Sequence, residues 1–354
     1  MALWVDKDRP NTLDKLSHHP ELTKHLKKMA ITGDIPHMLF YGPEGAGKKT
    51  RINALLRQIF GPSAEKIKID QRTFQTPSNR SLEINVISSN YHIEINPSDA
   101  GIYDRVVVQE LIKEIAQTQQ VNVNAPRKFK VVIIHEAESL TKVAQHALRR
   151  TMEKYMRNLR IIMCCSSTGN IILPLQSRCL LVRVPAPGLG QISQVLMDVA
   201  QKENIQLTDS VAHKMALASN QNLRRAILML EAAYVTNCQF QENMELPLPD
   251  WEIVIKNLGK TLLNSQSPMV VMQSRSVLYE LLTHCIPPST ILKKLAFYLV
   301  EHVDEAIKPE IVFQAAIYEE RLRQGQKAIF HLEAFVAKFQ SLYTRFLLDL
   351  VIDF

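Results

Sequence analysis

Gly42-Pro43-Glu44-Gly45-Ala46-Gly47-Lys48-Lys49-Thr50 is a phosphate-cradling turn with one chemical part exchanged. Its glycines, Gly42, Gly45 and Gly47, let the backbone bend tightly and aim successive N–H groups at phosphate oxygens. Lys48 supplies a cation for the β and γ phosphates, and a helix starting there adds its positive end. The general pattern is G-x-x-x-x-G-K-[ST], whose last hydroxyl ligates Mg²⁺. Here that slot holds Lys49, which has no acceptor atom. Thr50 is no substitute, because one residue further along a helix turns the side chain by about 100°. The turn is expected to grip a nucleotide and hold its metal poorly.

A second position bears on the same metal. Such a turn works with a buried strand that ends in two acids, one holding Mg²⁺ through water and one polarising the attacking water. Here the apolar run Val131-Val132-Ile133-Ile134 ends in His135-Glu136. The second acid is present as Glu136, while a neutral or cationic imidazole replaces the first. Two independent changes at one ion imply ATP binding with slow or absent hydrolysis.

These residues need a scaffold. Leu39-Phe40-Tyr41 reads as a strand feeding the turn and Thr50 to Phe60 as the helix leaving it. Further strands are expected at Ile84 to Ile87, His92 to Ile95, Phe129 to Ile134 and Arg160 to Cys165. Helices are expected at Val106 to Gln117 and Leu140 to Tyr155. Strands alternating with helices predict an α/β fold with a doubly wound parallel sheet and the glycine turn at its carboxyl edge. After the breaker cluster Pro185-Ala186-Pro187-Gly188 the strand signals vanish, and helices are expected near 189–203, 208–219 and 222–237. Beyond Pro247-Leu248-Pro249 the chain again reads as helical, interrupted at Pro287-Pro288.

The length of 354 residues implies two or three cores. Hydrophobic content of 46% with 22% charged residues excludes a disordered chain. No apolar run approaches the ~20 residues of a membrane span. The five cysteines show no ligand spacing, and Cys164 and Cys165, adjacent within an apolar run, read as buried thiols of a soluble intracellular protein. A net charge of +7 is compatible with a polyanionic partner.

Several basic residues are further candidates. Arg178, in Ser177-Arg178-Cys179, sits where a finger could stabilise phosphate charge in a neighbouring subunit's site. Arg224, in Asn222-Leu223-Arg224-Arg225, opens a helix at the end its positive charge disfavours, which points to use on bound phosphates. In the helix from Leu140, Lys142, His146, Arg149 and Glu153 share one face, while Ala144, Ala147, Leu148 and Met152 pack inward.

Taken together, these pieces resemble the AAA+ small subunits of replication factor C, the eukaryotic sliding-clamp loader. The likeness rests on Trp4-Val5-Asp6-Lys7 with Arg9-Pro10, the Gly42–Thr50 turn and the run Ala144 to Glu153. It extends through Ser177-Arg178-Cys179, Asn222 to Ala226 and the late segment Lys327 to Lys338. The doubled lysine, the non-acidic residue before Glu136 and the stretch Tyr279 to Pro287 are similar to the branch with a catalytically silent site. Asp8 departs from the tyrosine usual in the family.

The resemblance implies an AAA+ nucleotide-binding domain over 1–184, a helical lid over 185–242 and an all-α collar over 243–354. It implies ATP or ADP as cofactor, with Mg²⁺ weakly held or absent. Val5 and Ser17 would flank the adenine and ribose, and Ser166 would hold the polar sensor position. Gly42, Pro43, Glu44, Gly45, Ala46, Gly47, Lys48, Lys49 and Thr50 would wrap the phosphates, with Arg224 reaching from the lid. Arg178 would act in trans on a neighbour, beside a degenerate Glu136. The implied partners are four other clamp-loader subunits (one large and three small), the sliding clamp (proliferating cell nuclear antigen) and primer–template DNA, in the nucleus. Arg80, Arg105 and Lys142 are candidates for DNA phosphate contacts. The alternatives are a self-sufficient AAA+ ATPase in homo-rings and a nucleotide-free scaffold.

Overall fold

The computed structural model describes residues 2–75, 81–117, 129–156, 158–236 and 246–352. Arg80 and Cys238 lie outside the described residues.

The strands are β1 (Met38–Tyr41), β2 (Lys68–Gln75), β3 (Ser81–Ser88), β4 (His92–Ile95), β5 (Lys130–Ile134), β6 (Leu159–Cys165) and β7 (Leu180–Arg183). They form one sheet in the order β2-β3-β4-β5-β6-β1-β7. From β4 to β7 every pairing is parallel. β2 and β3 form an antiparallel hairpin, and β3 runs antiparallel to β4, so the sheet departs from the expected all-parallel form at one edge. The chain reaches β4 from β3 through a short turn, too short for the crossover that a parallel neighbour needs.

Helices α1 (Trp4–Lys7), α2 (Pro20–Thr32), α3 (Lys48–Phe60), α4 (Asp104–Gln117), α5 (Lys142–Lys154) and α6 (Leu173–Gln176) accompany the sheet. Alternate residues of each strand point to opposite faces. Met38, Phe40, Val131, Ile133 and Ile162 therefore pack with α2 and α3. Leu39, Val132, Ile134, Ile161 and Met163 pack with α4 and α5 on the other face. On α4, Val107, Leu111, Ile112 and Ile115 are all buried; on α5, Ala144, Ala147, Leu148 and Met152 are. α5 starts sharply because Thr141 accepts the Ala144 N–H, while Thr141 itself donates to both oxygens of the buried Asp104 at 2.7 and 2.9 Å.

α7 (Leu189–Lys202), α8 (Asp209–Ala218) and α9 (Leu223–Thr236) follow without further strands. They enclose a small core of Ile192, Leu196, Val211, Met215, Ala226 and Leu230, against which Trp4 also packs. The first compact unit ends at Leu246 and the second begins at Pro247. The second unit comprises α10 (Asp250–Asn264), α11 (Pro268–Thr283), α12 (Pro288–His302), α13 (Lys308–Gln324) and α14 (Ala328–Ile352). Leu262, Leu278, Leu295, Phe335 and Phe339 lie at the centre of its own core. No helix among the described residues is long and apolar enough to cross a membrane.

Candidate nucleotide-binding site

β1 ends at Tyr41 and the chain turns through left-handed glycines at Gly42, Gly45 and Gly47, with φ of +151°, +72° and +82°, before α3 begins. Each hydrogen in place of a side chain has a use. A Cβ on Gly42 would lie 1.9 Å from the Val184 carbonyl oxygen, and one on Gly45 would lie 1.9 Å from Asn222 Oδ1. One on Gly47 would lie 3.3 Å from His18 Nε2. The turn is thus pressed between the sheet, the N-terminal segment and the entry to α9. At that entry Asn222 Oδ1 caps the helix by accepting the Arg225 N–H at 3.0 Å.

A cavity of about 770 Å³ opens over this turn. Val5 and Ser17 line it, as do Glu44 to Thr50, Glu136, Ser166 and Arg224. Gly42 and Pro43 serve it indirectly, since their carbonyls accept the Lys48 ammonium at 2.6 and 3.0 Å. The site therefore draws on the N-terminal segment, the β1–α3 turn, the ends of β5 and β6, and helices α7 and α9. Arg178 is not among the lining residues; its guanidinium pairs with Glu153 at 2.6 Å and donates to the Pro174 carbonyl at 2.8 Å. Arg105 and Lys142 are exposed on the first unit.

The metal side of the pocket is occupied by side chains of the protein itself. Lys49 Nζ lies 3.0 Å from Glu94 Oε2, and His135 Nε2 lies 3.0 Å from the same oxygen. His92 Nε2 is 3.8 Å from Glu94 Oε1. Glu94 is only 5% exposed. Burial pushes its carboxyl up, but the His135 hydrogen bond and the Lys49 charge outweigh that and hold it at about 2. A hydroxyl and a carboxylate at positions 49 and 135 would serve Mg²⁺; an ammonium and an imidazole tied to one carboxylate do not fit it.

Four groups escaped the sequence reading. Glu94 looked like an ordinary strand residue, although a charge within a fully buried strand signals a partner. Glu138 lines the cavity and accepts from both the Ser166 N–H and hydroxyl, at 3.1 and 2.7 Å, so the sensor serine is already engaged. His18 stands against the turn with a buried Nε2, and burial, outweighing a weak backbone contact with Ala46, lowers its pKa to about 4. Gln145, wholly buried, donates to the Leu140 and Asn170 carbonyls at 3.0 Å and accepts the Ile172 N–H at 2.9 Å. It thereby clamps the loop that leads through α6 to Arg178.

The N-terminal segment forms part of the cavity wall and is tied to the helices after the sheet. The Trp4 N–H donates to Glu231 at 3.2 Å, its indole lies 5.4 Å from the Tyr234 ring, and Lys7 pairs with Glu203 at 2.6 Å. Asp8 lies 4.0 Å from Lys202, with its other carboxylate oxygen buried and without a partner.

Comparison with known proteins agrees with this construction. "Replication factor C subunit 5" of Neurospora crassa is 53% identical over 350 residues, covering 99% of both chains. "Replication factor C subunit 3" of Homo sapiens is 50% identical over 349 residues, covering 99% of this chain and 98% of its own. The chain belongs to the replication factor C family. It is accordingly a clamp-loader subunit of the AAA+ class and a component of a multi-subunit complex. Within the replication factor C fold, residues 251–347 match "Replication factor C subunit 3, C-terminal domain" and residues 194–235 match "RCF1/5-like, AAA+ ATPase lid domain". Residues 18–187 match "DNA polymerase III, delta subunit". The Thermotoga maritima RuvB branch migration motor overlaps 71% of this chain and 78% of its own, with a TM-score of 0.48 and 15% identity, a likeness too distant to carry an argument.

Proposed function

We propose that this replication factor C subunit binds ATP or ADP without hydrolysing it, and lends Arg178 to the ATP site of a neighbouring subunit. The observation that carries this reading is the split character of one cavity. Its phosphate turn keeps Lys48 and all three glycines, while Lys49 and His135 are bound to Glu94 where a catalytic metal would need ligands. Val5 and Ser17 would hold the base and ribose, and Arg224 would reach the phosphates from the lid. Arg178 is separate from its own cavity and half-exposed, as a residue acting in trans must be. Glu136 lines the pocket but has no metal-held phosphate to act beside.

In this reading residues 1–184 form the nucleotide-binding domain, 185–242 the lid and 243–354 the collar. The complex has one large and three other small subunits, and uses ATP to open the proliferating cell nuclear antigen ring and close it on primer–template DNA in the nucleus. Arg105 and Lys142, with Arg80, would touch DNA phosphates, giving sequence-independent binding that weakens steeply with salt.

The test pairs two measurements. Purified chain should bind labelled ATP or ADP yet show no turnover above background. Arg178→Ala should lower ATPase of the assembled complex while leaving this chain's nucleotide affinity within about twofold. Brisk hydrolysis by the lone chain would contradict the first statement, and unchanged complex ATPase would remove the second. A self-sufficient ATPase would require metal ligands at 49 and 135, and a nucleotide-free scaffold would give the cavity over the glycine turn no occupant.

A further inference from the structure

We infer that this site takes its nucleotide without a divalent metal, and that the Lys49 ammonium, anchored on Glu94, is the resident counter-charge for the phosphates. The inference rests on the nucleotide-binding reading above and adds how the site balances charge.

Three separate elements build the anchor. Lys49 comes from the first turn of α3, Glu94 from the buried strand β4, and His135 from the end of β5. Strand register sets Glu94 beside Ile133, two residues before His135. That spacing lets the carboxylate receive the imidazole at 3.0 Å and the ammonium at 3.0 Å on the same oxygen. An ionised carboxylate that is 5% exposed is costly without partners, so the fold requires cations or donors at both positions.

The consequences for a ligand follow from donor counts. An ammonium has three N–H groups. The contact with Glu94 needs one of them, and Lys49, 38% exposed and lining the cavity, has others to offer to phosphate oxygens. Being tied down, it loses little freedom when it engages a ligand. A dication brought into the same corner would meet this fixed positive charge, and Lys49 could leave only by depriving the buried Glu94 of one of its two close partners. The two departures from the usual metal site are therefore one device, because both side chains serve the same carboxylate.

The experiment uses the full-length chain with ADP and ATP carrying a fluorescent label on the ribose, titrated in EDTA and again in excess Mg²⁺. Wild-type affinities should agree within about twofold between the two buffers. Lys49→Ala should weaken binding roughly tenfold in both buffers, the loss of one charge-assisted hydrogen bond. Lys49→Thr combined with His135→Asp and Glu94→Gln, which removes the buried charge along with its partners, should instead bind about tenfold more tightly in Mg²⁺ than in EDTA. Bound Mn²⁺, read by water-proton relaxation with ADP present, should be detected in that triple variant and not in the wild type. Glu94→Gln tests the anchor: it should weaken binding several-fold, and adding it to Lys49→Ala should cost nothing further. If Glu94→Gln does not fold, as judged by thermal melting, the Lys49 arms decide alone.

Tenfold tighter wild-type binding in Mg²⁺, or unchanged affinity in Lys49→Ala, would overturn the inference and leave nucleotide binding intact. Absence of binding in both buffers would overturn the underlying reading and this inference with it.

Discussion

The phosphate turn and the metal corner face the same cavity, yet they hold their shape by opposite means. The turn is held by the absence of side chains: Gly42, Gly45 and Gly47 allow Val184, Asn222 and His18 to press against bare backbone. The corner is held by an excess of them, with Lys49, His135 and His92 converging on Glu94. On the reading proposed above, the contrast means that one pocket can grip a nucleotide without activating it. Backbone geometry with Lys48 and Lys49 would serve the first, while the second would need metal-ligating side chains at 49 and 135.

The largest expected effect comes from breaking the turn. Gly42→Ala places a methyl against the backbone oxygen of Val184, which cannot rotate away, in a conformation that alanine avoids. It should destabilise the first unit by about 3 kcal/mol or more and abolish nucleotide binding, read by thermal unfolding and labelled ADP.

Acid should separate the two regions next. His18 at the turn and His37 beneath the sheet both have pKa values lowered to about 4 by burial. The unfolded chain therefore binds more protons than the folded one between about pH 6.5 and 4, and stability falls as pH drops through that window. The loss is at most roughly 3 kcal/mol per histidine. Glu94, held at about 2, contributes stability that is complete above its ordinary value of 4.5 and disappears only as pH falls toward 2. Burial also lowers the pKa of His92 in the corner, so the order concerns single residues. The His18 contribution should be lost before that of Glu94, and a melting series from pH 7 to 3 with His18→Gln and Glu94→Gln would show whether it holds. Coincident losses would break the contrast.

Lys48→Ala should come third, weakening nucleotide binding by roughly 10- to 100-fold with little effect on the melting temperature. Gln145→Ala should follow. It leaves the Ile172 N–H and two carbonyls without their partner, destabilising by about 2 kcal/mol and reducing the ATPase of the complex by shifting Arg178. Arg178→Ala itself should change this chain's stability least, by under about 1 kcal/mol, because its pair with Glu153 is exposed to solvent.

Much of this was legible in the amino-acid order, and the exceptions have physical reasons. β1, β5 and β6 announce themselves as largely apolar runs because both faces of each are covered. β2 does not, since Phe74 is the only residue of Lys68–Gln75 that is buried. The glycine turn could be read because its chemistry depends on consecutive residues. The Lys49–Glu94–His135 cluster could not, because it joins three elements far apart in the chain and depends on strand register. His18 and Glu138 are hidden for the same reason: their partners are set by tertiary approach, with no local pattern to reveal them.

The short helix α1 carries one more consequence. Trp4, tilted against the Tyr234 ring and bonded through its backbone N–H to Glu231, and Lys7, paired with Glu203, fasten α1 like a hasp over the side of the cavity proposed to hold the base. We propose that a ligand seated beside it departs faster when that fastening peels open. Its residence time should then be governed by how often α1 lifts from α7 and α9, and a Trp4→Ala chain should release labelled ADP faster even where equilibrium affinity scarcely changes.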